Sequence, residues 1–504
     1  MTAGYQGAPT AGFAASRDRF ETVLAFLDGE EAGALSHGEL EERLVVDHRE
    51  LFRQLLQDHL DLRAQRETRT PGVRDADGVG RPSAEPGHAR HLATVFGQVR
   101  VTRIAYRRPG QANLHPADAA LNLPTEVHSH GLRRLAAVES TRGSFDDAVE
   151  AMARATGQQV GKRQVEELTA RAAVDFDAFY ATRQPPPAGD PSDVLVLSCD
   201  GKGVVMRADA LRPATAAAAG KATPKLATRL SKGEKRNRKR MAEVGTVYDA
   251  SPAPRTPADI LPATDDHRAR AAPGPVTNNK WLTASVACDA AQVVAQIFAE
   301  AERRDPDHAR TWVALVDGNN HQIDRITAEA RARNVPVTIT IDFIHVLEYL
   351  WRAAWCFFAE GDPAVEAWVQ DKARAVLAGS ATKVAGAIRR QATNAGLEPT
   401  RRAGADICAR YLTKKTPYLD YPTALTNGWP IATGVIEGAC RHLVKDRMDI
   451  TGARWGLGGA EAILKLRAVR SNGDLDAYWS YHLAQEQHRV HRSRYADNTI
   501  PHAA

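Results

Sequence analysis

Cysteine is scarce in this sequence and nowhere paired. Five occur, Cys199, Cys288, Cys356, Cys408 and Cys440, none in a CxxC pair and odd in number. That argues against a disulfide framework and against a zinc ribbon, and it suits a reducing cytoplasm. Long apolar runs are also missing. None approaches the ~18 residues that a bilayer span needs, so no membrane partner is expected. Residues 1 to 17 are rich in Gly and Ala and lack the charged start and apolar core of a secretory signal. A strong net charge is lacking too. At +5, the balance is too mild to mark a nucleic-acid binder, so the distribution of charge matters more than its sum. The expectation is a cytoplasmic protein.

What is present is globular. Of 504 residues, 43% are hydrophobic and 25% charged, and two to four domains of roughly 100–200 residues are expected. Residues 1–90 read as a helical N-terminal region with a linker. Phe20, Val23, Leu24, Phe26 and Leu27 recur at helical spacing, as do Leu51, Phe52, Leu55, Leu56 and Leu60, and the Gly/Pro-rich stretch 67–91 reads as the linker. Residues 91–184 read as a DNA-binding region. Leu92 to Phe96 and Val99 to Tyr106 predict a short β-hairpin turning at Phe96-Gly97-Gln98, its second strand made basic by Arg100, Arg103, Arg107 and Arg108. Three helical stretches follow, the last two separated by Thr156-Gly157-Gln158-Gln159 in a helix-turn-helix outline. Lys162, Arg163 and Gln164 open the last helix, the end that meets base edges or phosphates in such motifs. The same residues also suit a plain three-helix bundle with a solvated face.

Pro185 to Pro191 marks a domain boundary. Beyond it, Val194 to Ser198 is a short apolar run of the kind that forms a buried strand. A basic insertion, 207–243, follows. Within it Arg229 to Arg240 carries a single acid, and Lys235, Arg236, Arg238, Lys239 and Arg240 form either a grip on DNA phosphates or a solvated surface run. Further strands are predicted at Val244–Tyr248, Trp281–Val286, Thr311–Val316 and Val337–Ile341, with helices at Ala290–Arg303 and His321–Asn334. Residues 346–430 read as a helical insertion and 431–504 as late helices. Three strands, helix, strand, helix, strand is a mixed α/β (α+β) order. It matches the ribonuclease H-like arrangement over 192–345 rather than a strict βαβ repeat.

Two carboxylates stand out. Asp200 follows Val-Leu-Val-Leu-Ser-Cys and precedes Gly-Lys-Gly, and Asp317 follows Trp-Val-Ala-Leu-Val and precedes Gly-Asn-Asn. An acid at the end of a buried strand needs a partner to stay ionised. A pair of Mg²⁺ (or Mn²⁺) ions, about 3.5–4 Å apart, is one such partner and suits displacement at phosphorus. A strand-end Asp also caps helices and starts turns, without any metal. Glu437, in Gly434-Val435-Ile436-Glu437-Gly438, opens a predicted helix with Arg441 at i+4 and Lys445 a turn further, which equally describes a surface ion pair.

The residues Cys199-Asp200-Gly201-Lys202-Gly203, Val316-Asp317-Gly318-Asn319, Asp342-Phe343-Ile344-His345-Val346 and Gly434-Val435-Ile436-Glu437-Gly438 resemble bacterial insertion-sequence transposases of the DDE superfamily. The similarity is to the ISKra group and, more distantly, to Mutator-like elements. Thr94 to Arg103 and Lys239 to Val244 also resemble the group. The resemblance implies catalytic, metal-holding roles for Asp200, Asp317 and Glu437, and a part for His345 in orienting a carboxylate or phosphate. Arg441, His442, Lys445 and Arg447 would then grip phosphates, or else form a solvated helix face. Trp351 and Trp355, four apart, suit core packing or base stacking. The implied partners are double-stranded DNA, as terminal inverted repeats and target, and further copies of the chain on that DNA, in a nucleoid-associated bacterial protein. A metal-dependent nuclease or resolvase without strand transfer, and an inactive transposase-derived DNA-binding protein, share the same residues.

Overall fold

The computed structural model describes residues 11–185, 190–221, 226, 238–262, 271–450 and 452–501. Lys235 and Arg236 lie outside them. The chain divides into two compact units, Met1–Ala181 with Asp474–Ala504, and Thr182–Gly473. The cut after Ala181 falls just before the Pro-rich stretch. The second cut differs from the expected 431–504 segment, because Asp474 onward belongs with the N-terminal unit. Its helix Leu475–Glu486 buries Tyr478, Trp479, His482 and Glu486, a mixed set that carries no mark of its neighbours.

The first unit opens with the helices Ala14–Asp28 and His37–Arg66. Ser36 caps the longer one, its hydroxyl accepting the Glu39 N–H while the Glu39 carboxylate accepts the Ser36 N–H. A hairpin follows, β1 (Ser83–Thr94) and β2 (Gly97–Arg107), joined by Val95-Phe96. It is longer than the sequence suggested. Pro86-Gly87 reads as linker, yet it forms a bulge between Glu85 and His88, through which β1 continues. Alternation along β2 buries Val99, Val101 and Arg103 and exposes Arg100 and Arg107, so only part of the basic strand faces outward. Helices His130–Ser140, Phe145–Thr156 and Lys162–Ala172 close on a core of Leu132, Ala136, Ala148, Met152, Val160, Val165 and Leu168.

The second unit is built on a five-stranded sheet: β3 (Val194–Val205), β4 (Lys239–Ser251), β5 (Val276–Ser285), β6 (Trp312–Val316) and β7 (Val337–Ile341), in the order β5-β4-β3-β6-β7. β5, β4 and β3 are antiparallel neighbours, and β3, β6 and β7 are parallel. The apolar stretches of β3 and β6 are buried on both sides, which is why they read as unbroken runs. One face packs on helix Ala290–Arg304, so closely at β4 that a Cβ on Gly245 would stand 2.5 Å from Ile297. The other face gathers Val194, Val196, Tyr248, Ala250, Val313 and Leu315 under Trp429 and Val435. Burying each large aliphatic side chain stabilises by about 1.5–3 kcal/mol. After β7 come Phe343–Ala354, Ala364–Leu377, Ala381–Asn394, Pro399–Lys415 and Tyr421–Thr426, the helical insertion anticipated over 346–430. No helix among the described residues is long and apolar enough to cross a membrane.

Candidate functional site

Strand register brings the acids together. β3 pairs with β6 from Leu195↔Trp312 to Ser198↔Leu315, so two residues further Asp200 stands level with Asp317. β6 pairs with β7 up to Val316↔Ile341, so Asp342 stands level with Asp317 in turn. The Asp342 N–H donates to the Val316 carbonyl at 2.8 Å, which carries the ladder to this point. Neighbouring strands lie about 4.8 Å apart. Period-two alternation puts Asp200 on the face of Val194 and Val196, and Asp317 on that of Val313 and Leu315, the face beneath Val435.

Asp317 ends its strand as expected. Asp200 does not: β3 runs on to Val205 beside β4, with Gly201 opposite Glu243 and Gly203 opposite Met241. The two glycines of Gly-Lys-Gly leave room for the Met241 and Lys239 side chains across the pair. The chain after Asp317 turns through Gly318 at φ +91°, and a Cβ there would meet the Tyr411 hydroxyl at 2.6 Å. Only glycine satisfies both conditions.

The Glu437 helix, Gly434–Ala439, crosses the same face and is tied to the acids at two points. The Thr433 hydroxyl donates to the buried Asp342 carboxylate and lies 3.3 Å from Glu437 Oε1. The Cys440 thiol donates to Asp200 Oδ2 at 3.4 Å. From Cys440 to Lys445 the helix widens to π geometry, a form often found at functional sites. Arg441 therefore faces Asp446, five residues on, at 3.8 Å, rather than Glu437 at i−4.

Other groups complete the edge. The Tyr411 hydroxyl donates to the Asp317 carbonyl at 3.2 Å, and Lys415 Nζ donates to Asn320 Oδ1 at 2.5 Å. Burial, then the charges of Glu243, Asp200 and Asp317, pushes the Cys199 thiol up to about 12. Burial and Asp200 push the Cys440 thiol well up too. Burial raises Glu243 as well, against the lowering effect of Arg212, with smaller contributions from the Asp200 and Asp289 charges. The Asp200 and Asp317 charges thus act on the neighbouring acidic groups in one sense, with Lys202, Arg212 and Lys415 acting against them. Among the described residues no group of three or more His, Cys, Asp or Glu side chains is gathered tightly enough to hold a metal ion as the side chains stand.

The remaining sequence-predicted residues fall into three groups. Lys162, Arg163 and Gln164 are exposed at the start of their helix, with Lys162 on Asp146 (2.6 Å), Arg163 on Glu167 (3.1 Å) and Gln164 accepting the Gly161 N–H. Lys445 and Lys239 are exposed as well. Arg240 is built into β4, its guanidinium donating to the carbonyls of Val286, Ala210 and Ala287, so it fastens the start of β4 to the chain that follows β5. Arg238 precedes β4, its carbonyl accepting from Met206. Arg447 is buried, 4.7 Å over the Trp455 ring, away from any phosphate at the surface, and His442 bonds Ser471 at 2.8 Å. His345 contacts Glu348 at 3.1 Å and lies edge-on to Tyr349 and Tyr411. Trp351 and Trp355 stack on each other.

Sequence reasoning missed Thr433, Cys440 and Tyr411 as members of the site, and named Asp342 only through the segment that it shares with His345. Asp342 alone left a usable signal, because it follows Val-Thr-Ile-Thr-Ile as Asp317 follows its own strand. Comparison of the chain with family models and with curated proteins finds no match.

Proposed function

We propose that this chain is a DNA transposase of the DDE type, with a ribonuclease H-like catalytic domain. It cuts DNA at the terminal repeats of an insertion sequence and joins the freed 3′-OH to target DNA. One observation carries the reading. Asp200 and Asp317 stand level on adjacent strands, and the helix bearing Glu437 is tied across the same face through Cys440 and Thr433. Three antiparallel strands followed by two parallel ones, then an all-helical stretch before the Glu437 helix, support the fold. The resemblance of the segments around Asp200, Asp317, Asp342 and Glu437 to insertion-sequence transposases supports the activity.

The donor set is carboxylate oxygen, which fits a hard cation such as Mg²⁺ or Mn²⁺. Asp200, Asp317 and Glu437 would hold it, each offering a carboxylate oxygen to a shared site. When bound, such ions activate the attacking oxygen and stabilise charge at phosphorus. The chain's own residues position the acids. Cys440 orients Asp200, Thr433 joins Asp342 to Glu437, and Tyr411 fixes the backbone of Asp317. Exposed Lys162, Arg163, Lys202 and Lys445 offer phosphate contacts.

The test uses the purified chain with labelled DNA from the ends of the element, taken from the sequence flanking its gene, and Mg²⁺. The expected result is cleavage at the repeat followed by a strand-transfer product on a gel. Cleavage without joining makes the protein a nuclease or resolvase, and binding without cleavage makes it an inactive derivative.

A further inference from the structure

The helix Ala14–Asp28 holds apolar surface that the described residues of its own unit leave uncovered. Of its fifteen residues only Ser16 is buried, fixed by hydrogen bonds from its N–H and hydroxyl to Asp58. Val23 and Phe26 are partly covered, with Arg43 over the Phe26 ring at 4.3 Å. Phe20, Leu24 and Leu27, at i, i+4 and i+7, remain 48%, 43% and 40% exposed. Three large side chains in one stripe of one helix are more than the scattered apolar residues of an ordinary surface.

The charges beside the stripe identify what covers it. Arg17 lies in the first turn and Asp28 in the last, both exposed, and neither is in an ion pair among the described residues. Each opposes the helix dipole, which favours acids at the N-terminus and bases at the C-terminus. At ~100° per residue, Arg17 and Asp28 are only about 20° apart around the axis, so they flank the stripe on one side at opposite ends. A second copy of the same helix, laid antiparallel about a two-fold axis, resolves both features. The axis passes near residues 22–24, Phe20 of each copy meets Leu27 of the other, and Arg17 of each stands beside Asp28 of the other. Arg17 and Asp28 then each face their opposite, as does each dipole end, while exposed Glu21, about 40° around the axis from Arg17, lies at the outer margin of the pair near its counterpart in the other copy.

We infer that the chain self-associates through this face, as an antiparallel pair of Ala14–Asp28 helices related by a two-fold axis. The interface is independent of the acid site and stands whether or not that site cuts DNA. One helix pair falls at the small end of stable interfaces, below about 1,200 Å², so the dimer should dissociate in the micromolar range.

Sedimentation velocity on the full chain without DNA, across micromolar concentrations, tests this. The native chain should shift from monomer to dimer, and Leu24→Glu should remain monomeric. Arg17→Asp should weaken the dimer about tenfold by setting like charges opposite one another in both symmetric positions. Arg17→Asp with Asp28→Arg should restore it, since the pair is reversed in both copies. The rescue keeps the test independent of whether Leu24→Glu folds normally. A native chain that is monomeric throughout, association unchanged by Leu24→Glu, or a double variant no tighter than Arg17→Asp would each overturn the inference.

Discussion

Two acid clusters, one in each unit, are balanced in opposite ways, although the second unit also holds buried Asp249 and Glu300 on arginines. In the first, Arg133 is 1% exposed and is gripped by Glu126 and by Glu486 at 2.5 Å. Asp175 accepts both guanidinium nitrogens of Arg489, at 3.0 and 2.9 Å, and the ring N–H of His482 at 2.7 Å. Since Arg133 can only donate, His482 Nε2 accepts from it and Nδ1 carries the proton toward Asp175. Burial pulls Asp175 upward, but the bonds from His482 and Arg489 win and hold it at about 2. In the second unit, Asp200, Asp317, Asp342 and Glu437 are in no ion pair among the described residues. Their partners are backbone N–H groups, a hydroxyl and a thiol. Acids matched by cations hold elements of one unit together. Acids gathered on one edge, with Lys415 and Lys202 nearby but in no ion pair with them among the described residues, keep carboxylate oxygens that a cation can use.

The largest effect should come from Asp317→Asn. The amide keeps the shape and its bond from the Asn319 N–H, which is 2.7 Å from Asp317 Oδ1, but removes charge at the edge. Cleavage should fall by on the order of 10³-fold or more, since metal-assisted charge stabilisation amounts to several kcal/mol. Binding of terminal-repeat DNA should stay near the native level. Native-rate cleavage by this variant would remove Asp317 from the chemistry.

Next in size is Arg133→Met. It takes one cation from Glu126, which keeps Arg171 at 2.6 Å, and one from Glu486, which keeps Arg489 at 2.9 Å, so the loss should be about 2–3 kcal/mol, below the 3–5 kcal/mol of a fully stranded buried charge. Denaturant unfolding of the first unit should show the loss, and the melting of the second unit should not move. A loss under 1 kcal/mol would mean that the network is dispensable and the contrast between the clusters is only apparent.

Acid should weaken the first unit in two steps. His115 and His130 are pushed down to about 4, chiefly by burial, so the unfolded chain takes up their protons near 6.5 while the folded chain does not. Stability is therefore lost as pH falls from about 6.5 to 4, by on the order of 3 kcal/mol per histidine at most. Asp175 acts in the window below. Its stabilisation is complete above its unfolded value near 3.9 and disappears as pH falls toward 2. His130→Asn should flatten the upper step and Asp175→Asn the lower one in pH-dependent melting.

How much of this could be read in the sequence follows from range. β6, Trp312–Val316, is buried on both faces and ends on Asp317, so a run of apolar residues before an acid was enough. The same rule located the start of β3 but not its end, because Gly-Lys-Gly continues the pairing with β4. Pro86-Gly87 concealed the length of β1 for a similar reason. The partners of the acids were harder. Tyr411 is 94 residues from Asp317 and Cys440 is 240 from Asp200, and no local spacing encodes such contacts. The π turn at Cys440–Lys445 moved Arg441 off the i+4 position that the sequence implied.

The smallest effect separates charge from hydrogen bonding at the acid edge. Cys440 is buried, and its thiol donates to Asp200 Oδ2 at 3.4 Å, held protonated first by burial and then by the neighbouring Asp200 charge. If donors stand in for cations here, a hydroxyl should replace the thiol. Cys440→Ser should leave the cleavage rate within about threefold of native, since the lost or gained bond is a fraction of the 0.5–1.5 kcal/mol typical of one hydrogen bond. Cys440→Val keeps similar bulk without a donor, so Asp200 is freer to turn from its working orientation. Its rate should fall by about three- to tenfold, with DNA affinity unchanged, because the thiol touches an acid and not the surface. Equal rates for the serine and valine variants would show that Cys440 only fills space, and that the Glu437 helix is held over the sheet by Thr433 and by the packing of Val435 alone.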